Sequence, residues 1–111
     1  YVHGFTTIQK RIAQKRQLKQ AMDKYLKSQL VPRSLNIMIV KDNGDIIQNT
    51  LNKKTIGVSR PDEIQPLVDK GVSGGGYDVI DHVNLEGILE HHVAYCKRVG
   101  EQTVVLCDKI V

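Results

Sequence analysis

The sequence predicts an α+β domain: a long N-terminal helix followed by an antiparallel sheet with a short covering helix. Three observations carry that expectation. Residues 5–30 contain no Gly or Pro and are rich in Lys, Gln, Arg, Ala and Leu, all good helix formers. An Asn43-Gly44 pair sits between two apolar, β-branched runs, the mark of a tight hairpin. Three further apolar stretches separated by glycine-rich or polar turns fill the C-terminal part of the chain.

The helix occupies residues 1–31, and the sheet residues 34–111. Phe5, Ile8, Ile12, Met22 and Leu26 recur near helical spacing, with Lys15 and Lys19 interrupting the stripe. Pro32 ends the helix, because the residue before a proline avoids the α region. Leu35–Lys41 and Ile46–Thr50 then form a hairpin through Asp42-Asn43-Gly44-Asp45, expected as a type I′ turn. Residues 51–59 form a polar connection. A short helix follows, capped by Ser59, with Pro61 in its first turn and Asp62 and Glu63 at the positive end of the dipole. Ile64, Leu67 and Val68 would face the core, Pro66 would be tolerated or kink the helix, and Gly71 would stop it.

Ser73-Gly74-Gly75-Gly76 reads as a flexible turn. Tyr77–Val83 reads as a strand with Tyr77, Val79, Asp81 and Val83 on one face, and Asn84–Gly87 as a second turn. Residues 88–99 fit both periods: Leu89, His91, Val93, Tyr95, Lys97 and Val99 alternate, while Ile88, Leu89, His92, Cys96 and Val99 suit a helix. The strand is preferred, with residues 98–102 leading into a last strand at Thr103–Cys107.

The 111 residues fit one domain, residues 1–111, and are 41% hydrophobic and 25% charged, as in a globular chain. Four Tyr, one Phe and no Trp argue against a stacking platform for single-stranded nucleic acid. The net charge of +4 is uneven: residues 1–30 hold seven Lys or Arg against one Asp, and the remainder is slightly acidic. Such cations can track phosphates or lie near anionic lipid, but more often they solvate an outer face, and no nucleic-acid partner is expected. No segment approaches the ~20 apolar residues of a membrane span, and no signal-peptide pattern is present. The chain opens on Tyr1 rather than Met, so it is expected to be an excised segment with any anchor outside it.

Little supports catalysis. There is no nucleophile elbow, no HExxH and no suitably spaced carboxylate pair. Residues 73–76 lack the Gly-Lys-Ser/Thr ending of a phosphate-binding loop. His91 and His92 would point to opposite faces of a strand, so they are poorly placed to share a metal. No cofactor is expected. Cys96 and Cys107 have no metal-ligand spacing; free, part-buried thiols are expected, although one disulfide would suit an oxidising compartment.

Three segments carry a family resemblance. Ile39-Val-Lys-Asp-Asn-Gly-Asp-Ile-Ile47 resembles the first hairpin of the Cache family, the PAS-like extracytoplasmic sensor domains. Ile64–Gly71 followed by Gly74-Gly-Gly-Tyr77 is similar to their helix and the glycine-started strand after it. His92–Val99 with Thr103–Leu106 is similar to their closing hairpin, although Val104 and Val105 stand where family members carry aromatics. The resemblance covers residues 35–111. It implies a PAS-like sheet and a ligand-sensing domain on the extracytoplasmic side of the cell membrane, in a histidine kinase, cyclase or chemoreceptor. It also implies a small-molecule ligand, a membrane anchor and an output domain beyond this chain, and a signal carried by the N-terminal helix. A homodimer through that helix is expected from the Ile8, Ile12, Met22 and Leu26 stripe.

Arg60, Tyr77, His91, Tyr95 and Lys97 are the candidate pocket residues. His91, Tyr95 and Lys97 would share a strand face, Tyr77 would begin the neighbouring strand, and Arg60 would open the covering helix. Lys and Arg would suit a carboxylate ligand. Two other readings compete: a roadblock- or longin-like protein-binding scaffold, supported by residues 36–52, and a small basic nucleic-acid-binding protein, supported by residues 1–30.

Overall fold

The computed structural model describes residues 2–51, 54, 56, 57 and 61–110. Helix α1 spans Val2–Ser28, strand β1 Asn36–Lys41, β2 Ile46–Asn49, helix α2 Pro61–Val72, β3 Gly76–Val83, β4 Leu89–Val99 and β5 Gln102–Lys109. The strands form one antiparallel sheet in the order β2-β1-β5-β4-β3. Helix α1 covers one face and α2 the other. The α+β expectation therefore holds, and Leu89–Val99 form a strand.

The α1 core is built from Leu18, Ala21, Met22 and Tyr25 against Ile37, Ile39, Val93, Val104 and Leu106. Leu18-x-x-Ala-Met-x-x-Tyr25 is a helical repeat, so one turn after another meets the sheet. The expected stripe divides along its length: Met22 is buried and Leu26 packs at the margin, while Ile8 and Ile12 are 60% and 52% exposed. The helix ends before Pro32 is reached. Gln29 adopts a left-handed φ of 60° and donates its N–H to the Tyr25 carbonyl at 2.8 Å.

The α2 core joins Ile64, Leu67 and Val68 to Met38, Val40, Ile46, Ala94, Cys96, Val105 and Cys107. Gly71 lies inside α2 rather than beyond its end. A Cβ there would stand 2.8 Å from both Thr103 Cγ2 and Oγ1, so the glycine permits close helix–sheet approach. Pro66 sits within α2 on an exposed position. The proposed Ser59 cap lies outside the described residues.

The first hairpin closes differently from the type I′ expectation. Of its turn residues only Gly44 has positive φ, at 95°. Gly44 N–H donates to the Lys41 carbonyl and Lys41 N–H to the Asp45 carbonyl, both at 2.9 Å. This is a type I turn followed by a left-handed glycine, which also matches the strand twist. Asn43 Oδ1 accepts the Asp45 N–H at 3.0 Å, holding Asn43 out of the left-handed region. Both cysteines are free and buried on the α2 face. Burial, first of all, pushes each thiol up to about 12.

Candidate ligand-binding site

A cavity of about 750 Å³ opens on the α2 face, between β3, α2 and the β1–β2 hairpin. That volume falls in the range of small-molecule pockets, about 300–1,000 Å³. Its floor and roof are apolar: Met38, Ile46, Leu51, Ile64, Leu67 and Ile80 line it. Strand alternation explains the supply of side chains. Asp78, Ile80 and His82 of β3 pair with Ala94, His92 and Glu90 of β4, and this set faces α2. Asp78 and His82 bring polarity to the lining.

A buried polar cluster adjoins the His82 end. The His82 and His92 rings meet edge to face, with centroids 5.9 Å apart. His92 is 2% exposed, and its Nε2 lies 3.2 Å from Glu90 Oε1. Glu90 Oε2 accepts Asn84 Nδ2 at 3.0 Å and pairs with Lys109 Nζ at 3.4 Å. The Asn84 and His92 hydrogen bonds, with Lys109, hold the Glu90 carboxyl down at about 2. Glu90 is therefore an ionised acceptor, and His92 donates to it through Nε2. His92 Nδ1 is buried without a hydrogen-bond partner among the described residues.

The cluster reaches the other face of the sheet. Gln14 Nε2 of α1 donates to the Lys109 carbonyl at 2.8 Å and to Asp108 Oδ2 at 3.1 Å. A chain of contacts thus runs from His82 in the cavity wall through His92, Glu90 and Lys109 to α1.

The residues singled out from the sequence lie elsewhere. Tyr77, His91, Tyr95 and Lys97 do share a face, but it is the one beneath α1. Tyr77 and Tyr95 meet edge to face at 5.0 Å. Tyr77 Oη donates to the Lys15 carbonyl at 2.9 Å, and Lys15 Nζ lies 5.6 Å from its ring centroid. These rings anchor the helix. His91 Nδ1 lies 2.6 Å from Asp81 Oδ1, both side chains being more than half exposed. Arg60 lies outside the described residues. Sequence reasoning weighed His92 only as a metal ligand and gave His82, His92 and Glu90 no place in the pocket. The signal was present in the dyad Glu90-x-His92, whose members share a strand face and lie opposite His82 and Ile80.

Among the described residues no group of three or more His, Cys, Asp or Glu is arranged to hold a metal. No helix among them is long and apolar enough to cross a membrane.

The chain is similar in structure to the PAS domain of an HTR-like protein from Haloarcula marismortui. The TM-score is 0.59 over 82% of this chain and 99% of that one, at 11% sequence identity. At that identity the likeness shows the fold alone. No family model and no curated protein sequence matches the chain.

Proposed function

The fold is PAS-like, and on that base we propose that this chain is a signal-sensing domain that binds a small molecule in the cavity on its α2 face. The observation that carries the reading is the apolar cavity joined by a continuous polar path to α1. A ligand that shifts His82 alters the packing of His92 and its grip on Glu90. Lys109 and Gln14 then pass the change to α1, which biases a two-state element. The sequence resemblance to Cache domains supports placing the domain outside the cytoplasm on a membrane-anchored receptor, with the output module elsewhere in the protein. The exposed Ile8 and Ile12 support a homodimer through the N-terminal part of α1. The roadblock-like alternative is weakened by α2, which is short and carries Pro66.

A thermal-shift screen of small organic molecules against the wild-type domain and Ile80→Trp tests the reading. A ligand at 100 times its dissociation constant stabilises the fold by about 2.7 kcal/mol, a rise of several degrees in Tm. The expected result is a hit that Ile80→Trp, which fills the cavity, abolishes. Hits that survive in a folded Ile80→Trp would place binding elsewhere and overturn the assignment.

A further inference from the structure

We propose that the cavity takes an organic cation, an apolar body bearing an ammonium group, rather than the carboxylate that the Lys97 and Arg60 pattern implies. The inference rests on the cavity being the ligand site and deepens that reading. Three observations point the same way.

The first is the sign of the charge on the wall. Asp78 places its carboxylate in the cavity lining, while Asp81 turns its own to His91 on the opposite face, and no Lys or Arg lines the cavity among the described residues. The second is where the basic side chains have gone. Lys70 of α2 lies over Gly76, its Cδ 3.0 Å from where a Cβ would stand, and it is not part of the lining. Lys97 projects from the opposite face of β4. Lys109 is turned to Glu90.

The third observation is the polarity of the hydrogen-bonding groups. Among the described residues Asp78 Oδ1 accepts one main-chain donor, the N–H of Val79 at 2.8 Å. An ionised carboxylate offers about four acceptor positions, so it retains capacity for an ammonium group. Asp78 therefore asks for N–H donors, and a ligand carboxylate would be repelled by it. The apolar lining from Ile80, Leu67, Leu51 and Met38 takes the body of the ligand.

A matched series sharing one indole body separates charge from shape: tryptamine, tryptophol and indole-3-acetate. Dissociation constants are measured by calorimetry for the wild type, Asp78→Asn and Ile80→Trp, with Leu51→Trp replacing the last if it does not fold. The expected result is tryptamine binding at least tenfold more tightly than indole-3-acetate. Asp78→Asn should remove most of tryptamine's advantage over tryptophol while leaving tryptophol's affinity unchanged, and the cavity-filling variant should abolish all binding. Equal or tighter binding of indole-3-acetate overturns the cation assignment but leaves the cavity as the site. If Arg60→Gln then removes that binding, the carboxylate reading replaces it. Failure of all three compounds, or binding that persists in the filled variant, overturns the assignment of the cavity itself.

Discussion

At the scale of single residues, four positions show how local chemistry fixes the fold. Gly71 is a spacing residue. A methyl group there meets Thr103 at 2.8 Å and Arg98 N at 3.3 Å, so Gly71→Ala must push α2 off the sheet. Such overpacking costs about 1–3 kcal/mol. Urea denaturation should show that loss, and Thr103→Ala should recover part of it in the double variant. Additive losses would mean that the two do not share the strain. Glu90 ties acid stability to the polar cluster. Its pKa is depressed in the folded state, to about 2 from an ordinary 4.5. Its contribution is thus present above pH 4.5 and fades as pH falls toward 2. Glu90→Gln should flatten that part of the stability–pH curve, and an unchanged slope would count against the cluster. Cys96 and Cys107 are the opposite case. Thiols pushed up to about 12 stay protonated and inert. A thiol reagent at neutral pH should label neither until the domain unfolds.

At the scale of elements, the sequence was most legible where one face of an element meets solvent. Strand β3 lies at the sheet edge, and its alternation of Tyr77, Val79, Asp81 and Val83 against Asp78, Ile80 and His82 is plain in the residues. Strand β4 was harder, and the reason is physical. Its central residues are covered by α1 on one side and α2 on the other, so Val93 and Ala94 are both buried. Double coverage erases the period that distinguishes strand from helix. Helix α1 misled in a different way. Its apolar stripe suggested one interface, but Leu18, Ala21, Met22 and Tyr25 serve the domain's own core, while Ile8 and Ile12 remain exposed. Leu18→Ala should therefore cost about 2–5 kcal/mol in denaturant unfolding. Ile8→Asp with Ile12→Asp should leave stability within about 0.5 kcal/mol and shift sedimentation toward monomer if the helix pairs. A loss of stability as large as that of Leu18→Ala would show the two isoleucines to be core.

At the scale of the molecule, the sheet divides two tasks between its faces. One face docks α1 through Tyr77 and Tyr95; the other opens the cavity under α2. The candidate pocket residues were legible as neighbours but not as members of a face with a cavity. Alternation says which residues share a side, and not which side a helix will close. Tyr95 and Lys97 were candidate ligand contacts because aromatic and basic groups suit ligands, and both lie on the face that α1 covers. The two faces are joined where Lys109 meets both Glu90 and Gln14.

The most direct test of this account is an amide NMR titration of the domain with tryptamine. The account predicts shifts centred on Leu67, Ile80 and His82, extending through Glu90 and Lys109 to Gln14. Shifts centred on Tyr77, Tyr95 and Lys97, with the α2 face silent, would contradict it.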